Sequence, residues 1–445
     1  MLLGLGLGVS AQSAASTASA PPAPPSGLAA PGNLFSVAQS AFDTSAHIDL
    51  RGNWDVLSGR LTALGNNAND ARVSLDAPLV AGHHHFATFD FAITSGNLKM
   101  SLGGNGSFNG ASVTEDWQGF QNYKSTDVGG AFTRVQPKPT SNFSGSIDGL
   151  AIYDLSTTDP KVVQCDVIIY GGDSNSANAT SDFVTKANRE TAFDPRIWYM
   201  PTLRNAPTFN PVGAERHVPF PMIEPVIAAP AARRMSPVHA AASELVSWSA
   251  ARGRPLLILA LGDPGSGLMN TQDWRAPARR EGTGATVGRM WDEMVAMKTA
   301  LEALTPNHQV VGAMWSLGQN DGFSASSAED YDTSHTVQYD NFFTDVRTLF
   351  GNIPMVLSNI NPDAAADSDA NGNQGFGSFR QTWIRRFDKD SGHPNSVNNL
   401  TVLEPASGNQ YTGDGNQGSS DPHYSATGIQ ALGRQMGQAL RGVLG

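Results

Sequence analysis

The sequence predicts a β-sandwich over residues 33–158, followed by a three-layer α/β unit over residues 159–445 built on one mostly parallel sheet. Three observations carry this reading. Short alternating segments separated by Gly, Asn and Asp fill the first part. Longer apolar runs alternate with segments of helical period in the second. The change of pattern falls near Pro160, and 445 residues exceed what a single core usually serves. Apolar residues at 40%, charged residues at only 16% and 46 glycines suit a β-rich, loop-rich protein.

Residues 1–32 precede the first core. Leu2–Val9 is apolar and is followed by Ala11-Gln12-Ser13-Ala14, the outline of a short signal peptide without the usual Lys or Arg ahead of it. The run is too short to span a membrane. Three readings stay open: an uncleaved anchor peptide that docks on a partner, a signal peptide, and a plain tail. Residues 15–32, rich in Ala, Pro and Ser, read as an extended linker. In 33–158, His85–Ile93, Leu98–Leu102 and Ser144–Tyr153 alternate as strands, and Phe35–Ser45 alone shows a helical period. An antiparallel sandwich or jelly roll is the simplest arrangement. The stretch Phe143–Tyr153 resembles the last strands of concanavalin-like or laminin-G-like sugar-binding sandwiches. His83-His84-His85 would suggest a metal, but neighbours in a strand point to opposite faces, so no metal site is expected.

After Pro160, the runs Val162–Tyr170, Pro255–Leu261, Gln309–Trp315 and Ile353–Ile360 read as buried parallel strands. Pro237–Ala251, Val287–Leu304, Tyr339–Phe350 and Gly377–Phe387 carry helical spacing between them, and Ser425 caps a final helix to Leu440. Arg204–Met235 and Asn361–Gly375 read as long polar loops, the first able to wall a groove through Glu215, Arg216, His217 and Glu224. Loops at the carboxyl ends of parallel strands gather functional groups. Ser174 and Asn320 both fall on such loops.

A serine hydroxyl becomes a nucleophile when an imidazole takes its proton and an acid fixes that imidazole's tautomer. His423, ahead of the last helix and two residues from Asp421, is the candidate base, with Asp421 its acid. The oxyanion of acyl transfer needs donors aimed at it. Candidates are the Ser174 backbone N–H, a glycine N–H from 262–267 and the Asn320 amide.

Gly172-Asp173-Ser174-Asn175, Trp315-Ser316-Leu317-Gly318-Gln319-Asn320-Asp321 and Asp421-Pro422-His423 resemble the sequence blocks of the SGNH (GDSL-like) hydrolase superfamily. Within it they are most similar to the sialate O-acetylesterase and acetylxylan esterase group, over residues 160–445 only. Gly265-Ser266-Gly267-Leu268, followed by Trp274, is similar to that group's glycine block and downstream tryptophan. The resemblance implies a flavodoxin-like α/β fold, Ser174 as nucleophile, His423 as base, Asp421 as acid, and Asn320 with Gly267 or Gly265 in the oxyanion hole. Asn175, Trp274, Gln319 and His217 are the expected substrate-binding residues. The usual Asp-x-x-His spacing would put the acid at Ser420, so a Ser–His dyad, Glu404 or Asp414 remain alternatives to Asp421. Leu317 and Gln319 replace a glutamine and a glutamate, and Asp263-Pro264 shifts the register of the glycine block.

The expected activity is that of a serine esterase removing acetyl groups from a surface or extracellular polysaccharide, with no cofactor. The alternative is a virion-associated fibre or spike that binds host glycans on an inactive esterase fold, which the order of apolar start, linker, sandwich and esterase resembles. Such organisation would suit a homotrimer or docking onto a particle through the N-terminal peptide. A net charge of -11 without a basic cluster argues against nucleic acid. Cys165 is the sole cysteine, so no intrachain disulfide forms. The expected location is extracellular or on a particle surface, whether or not a signal is cleaved.

Overall fold

The computed structural model describes residues 27–35, 42, 47–67, 71–75, 79–80, 82–95, 98–102, 106–109, 117–124, 134–139, 143–176, 193–202, 215–222, 237–325, 327–370, 377–408 and 423–445. The expected anchor peptide and nearly all of the Phe35–Ser45 helix lie outside the described residues.

Among the described residues of the first part, ten strands form two antiparallel sheets. They are β1 (Ile48–Asp49), β2 (Trp54–Leu57), β3 (Arg60–Asn67), β4 (Arg72–Ser74), β5 (His84–Ser95), β6 (Leu98–Leu102), β7 (Gly106–Asn109), β8 (Trp117–Lys124), β9 (Arg134–Pro139) and β10 (Phe143–Asp154). One sheet is ordered β1-β4-β9-β6-β7 and the other β2-β3-β10-β5-β8. Two of the runs expected as strands, in β5 and β10, are direct partners, with Phe91 opposite Ile147 and Phe86 opposite Tyr153. The three adjacent histidines part as strand alternation requires: His83 Nδ1 lies 2.6 Å from Asp154 and His84 Nδ1 lies 2.7 Å from Asp159.

Among the described residues, the second part holds a seven-stranded sheet. In chain order its elements are β11 (Asp166–Gly172), β12 (Ile197–Pro201), β13 (Phe220–Pro221), α1 (Pro237–Ala251), β14 (Leu256–Gly262), α2 (Arg289–Glu302), β15 (Gln309–Ser316), α3 (Thr336–Phe350), β16 (Met355–Ser358), α4 (Pro362–Ala370), α5 (Ser378–Ile384), β17 (Leu400–Leu403) and α6 (Ala426–Leu444). The order is β13-β12-β14-β11-β15-β16-β17, parallel except for the β12–β13 pair. All seven residues of β11 and of β14 are buried, which explains why they are apolar or glycine throughout except for Asp166, whose carboxylate is paired with Arg252 and Arg254.

Neighbouring residues of β11 show what covers each face. The Tyr170 hydroxyl reaches Met436 on α6, whereas a side chain on Gly171 would run into Trp315 and Trp274, which pack with Phe342 of α3. Helices thus flank the sheet on both faces. β11 is central: the chain places β14 on one side of it and β15 on the other, so the sheet changes winding direction there. Ligands of open α/β sheets bind at the carboxyl end of such a switch point.

Several expectations shift. The first strand begins at Asp166, because Val162 is 63% exposed and belongs to the preceding turn. β12, β13 and β17 were not anticipated, being short runs with few alternating positions. Asn361–Gly375, expected as a loop, contains α4, while its residues 371–375 lie outside the described set. Ser425 caps α6 as expected: its Oγ accepts from the Gly428 N–H at 3.1 Å. Among the described residues, no helix is long and apolar enough to cross a membrane.

α6 lies close against α1 because glycine stands at the contact. A side chain at Gly433 would overlap the Pro237 carbonyl, and one at Gly437 would meet the Ala241 carbonyl at 2.6 Å. Gly433→Ala would gain about 1 kcal/mol of helix propensity. Overpacking a close contact costs roughly 1–3 kcal/mol. The expected net result is a lower urea midpoint for Gly433→Ala, and an unchanged or raised midpoint would contradict the packing account.

Candidate active site

The site is built where the loops after β11, β14 and β15 meet. β11 ends in Gly171-Gly172, and Gly172 has φ +147°, a backbone setting that side chains rarely adopt. A Cβ at Gly172 would also overlap the Ser316 carbonyl of β15. The Asp173 N–H donates to that carbonyl at 3.0 Å, and the chain then turns, with the Ser176 hydroxyl donating to the Asp173 carbonyl at 2.8 Å. Asp173, Asn175 and Ser176 are wholly buried, and Ser174 alone of this turn reaches the surface.

His423 arrives from the other end of the sequence, just ahead of α6. Its Nε2 lies 2.9 Å from Ser174 Oγ, hydrogen-bond distance. Tyr424 is buried behind it, and the Asn361 side chain donates to the His423 carbonyl at 3.4 Å. Asp421 and Asp414 lie outside the described residues. Glu404, the other alternative acid, is engaged elsewhere and is not the partner of His423. It accepts from Arg385 Nε at 2.7 Å and from the Asn359 amide at 3.0 Å and 3.1 Å.

The 318–321 segment is tied to the serine turn on both sides of Ser174. The Asp173 carboxylate accepts from the Gln319 N–H at 2.6 Å and the Asn320 N–H at 3.3 Å. The Asn175 amide donates to Gln319 Oε1 at 2.5 Å. Burial raises the Asp173 pKa to about 6, opposed by those two backbone donors and by the charge of Arg380.

The glycine loop after β14 joins the same cluster. The Asp263 N–H and the Ser266 hydroxyl both donate to the Gly172 carbonyl, at 3.2 Å and 3.3 Å. Asp321 accepts from the N–H groups of Leu268 and Met269 at 3.1 Å and 2.8 Å. The Asn320 side chain donates to the Gly265 carbonyl at 2.6 Å, and a Cβ on Gly267 would lie 3.2 Å from the same amide nitrogen. An amide NH₂ carries two hydrogens, so this bond leaves one for a ligand.

The substrate-binding expectations divide. Asn175 and Gln319 are in the cluster but are nearly fully buried and bonded to each other, so they shape the turn. Trp274 is a correction. It is fully enclosed, its Nε1 donates to Ser266 Oγ at 2.9 Å, and it packs edge-on against Trp315, so it presents no face to a ligand. His217 lies at the carboxyl end of β12, where its N–H donates to Pro201, and its Nε2 is 2.6 Å from Glu293. It shares that carboxyl edge with Ser174, two strands away, but its ring is held by Glu293.

Sequence reasoning passed over Asp173 as the hub, Asn361 behind His423, and Arg380. Asp173 was visible only as the residue between Gly172 and Ser174, with nothing local to show that its partners lie beyond residue 318.

No family model and no curated protein matches the chain. Solved structures similar to it include NanS, at 12% identity and TM-score 0.44, covering 63% of this chain and 97% of that one. Another is a protein from Arabidopsis thaliana, at 13% identity and TM-score 0.41, covering 63% and 99%. A third is an acetyl xylan esterase from the rumen bacterium Butyrivibrio proteoclasticus, at 12% identity and TM-score 0.35, covering 91% and 97%. These are likenesses in chain path, and the functional reading rests on the site itself.

Proposed function

We propose that this chain is a serine esterase, acting as a carbohydrate O-acetylesterase on an extracellular or particle-surface polysaccharide. The observation that carries the esterase reading is the 2.9 Å approach of His423 Nε2 to Ser174 Oγ. The sugar ester as substrate is supported by the three sequence blocks around Ser174, Asn320 and His423, which resemble those of acetylesterases.

In this reading His423 takes the Ser174 proton as Oγ attacks the acetyl carbon. The oxyanion is received by the Ser174 N–H and the second hydrogen of the Asn320 amide, because the Gly267 N–H is bonded to the buried Asp273 carboxylate. Collapse breaks the acyl–oxygen bond, and the proton on His423 passes to the departing sugar hydroxyl. Water, deprotonated by His423, then cleaves the acetyl-serine and returns the free hydroxyl.

The test is acetate release from acetylated polysaccharides and from a small aryl acetate. Asn320→Ala is expected to lower kcat roughly 10²–10³-fold, as loss of one oxyanion donor does. Asp421→Ala is expected to cost less than His423→Ala, given its close spacing. A chain that releases no acetate from any of these, and whose glycan attachment survives Ser174→Ala, would be a binding protein instead.

A further inference from the structure

The glycine loop after β14 grips residues 320 and 321 at several points. Its Gly265 carbonyl accepts from the Asn320 side chain at 2.6 Å, and the Asn270 amide donates to the Asn320 carbonyl at 2.8 Å. The N–H groups of Leu268 and Met269 reach the Asp321 carboxylate at 3.1 Å and 2.8 Å. The loop begins at Asp263, whose N–H donates to the Gly172 carbonyl at the end of β11. It ends at Asp273, whose carbonyl accepts from Met290 and Trp291 in the first turn of α2, at 2.9 Å and 3.0 Å. Both acids are buried, and one guanidinium lies between them. Arg289 Nε donates to Asp273 Oδ1 at 3.0 Å, and Arg289 Nη2 donates to Asp263 Oδ2.

We propose that Arg289 is a positioning residue: by joining Asp263 to Asp273 it closes the ends of the glycine loop and so aims the Asn320 amide. The proposal rests on the esterase reading of Ser174. An amide NH₂ is planar, so the bond from one hydrogen to Gly265 sets the direction of the other. Gly265 is exposed at φ +76°, and a Cβ there would meet nothing within 4 Å, so packing does not locate its carbonyl. The middle of the loop has separate support, because Arg275 Nε donates to the Leu268 carbonyl at 2.7 Å. Gly265 lies between that support and Asp263, beside the end that Arg289 holds.

The start of α2 delivers the side chain to this place. The Gly288 N–H donates to the Gln272 carbonyl at 2.9 Å, so the backbone of residue 289 follows directly on the segment that leads to Asp273. A planar guanidinium presents its N–H groups in a fixed fork and can serve two carboxylates at once. An ammonium is a point charge without that geometry. Removing the cation altogether would take from two buried carboxylates the counter-charge they share, a loss that buried ion pairs tolerate poorly. Lysine at 289 keeps the charge and loses the fork, so it separates stability from aim.

The experiment measures kcat and KM for an aryl acetate in wild type, Arg289→Lys and Arg289→Met, each with and without Asn320→Ala. Hydrogen exchange of the 263–273 peptide is followed in the same proteins. Arg289→Lys is expected to lower kcat about 10-fold and Arg289→Met about 100-fold, with KM held within about twofold. In the Asn320→Ala background each should cost less than about 3-fold, because the amide they aim is gone. Exchange across 263–273 should quicken at least about 10-fold, while the peptides of β11 and α6 keep their wild-type protection. Losses of equal size in the two backgrounds, as a merely structural role gives, or unchanged exchange in the loop, would overturn the proposal. Should Arg289→Met yield no folded protein, Arg289→Lys decides by the same two readouts. If the wild type proves to lack esterase activity, the functional reading fails, while loop exchange in Arg289→Lys still decides for or against the clamp.

Discussion

Replacing Ser174 by alanine is expected to lower kcat for acetate release by roughly 10⁴–10⁶-fold, with the fold and melting temperature unchanged. The side chain is the half-buried member of an otherwise buried turn, and its hydroxyl lies 2.9 Å from His423 Nε2. His423→Ala should be nearly as damaging, because a neutral hydroxyl without a base is a poor nucleophile. The double variant should be no worse than either single one, since the two groups act as one unit. Additive losses in the double variant would mean that the residues serve separate steps. Steady-state rates of the three variants on an aryl acetate check this.

The second large effect is on folding. Gly172→Ala is expected to give protein that is insoluble, or destabilised by about 3–5 kcal/mol. Two costs coincide at this position. The backbone is held at φ +147°, and the new methyl would overlap the Ser316 carbonyl, which already accepts from the Asp173 N–H at 3.0 Å. Neither strand can give way easily, because Gly172 pairs with Gly262 on one side and Ser316 on the other. Urea denaturation of Gly172→Ala beside wild type reads the result. A midpoint within error of wild type would show that the strand end is softer than its packing indicates.

How much of this was legible varied with how local the cause was. The long strands declared themselves, because a strand buried on both faces must be apolar throughout, as in Val167–Tyr170 and Leu256–Leu261. The final helix was equally plain from its Ser425 cap and period. β12 was hidden, since Ile197–Pro201 is a five-residue run followed by Thr202 and ending in proline, and β17 has four residues. In the site, Ser174, Asn320 and His423 could be named from their motifs, but what holds them could not. Asp173 is made a hub by backbone N–H groups, which carry no sequence signature. Arg380, between Phe379 and Gln381, reads as an ordinary helix-surface cation, and only the tertiary fold encloses it. Trp274 erred the other way: a tryptophan beside a glycine loop suggested a sugar platform, and the space left by Gly171 drew it inward.

Mass spectrometry of the protein quenched in acid after mixing with an aryl acetate tests the central claim most directly. An acetyl group on the peptide containing Ser174, absent from Ser174→Ala, is the predicted result. Turnover at the wild-type rate by Ser174→Ala, or an adduct confined to another residue, would contradict it.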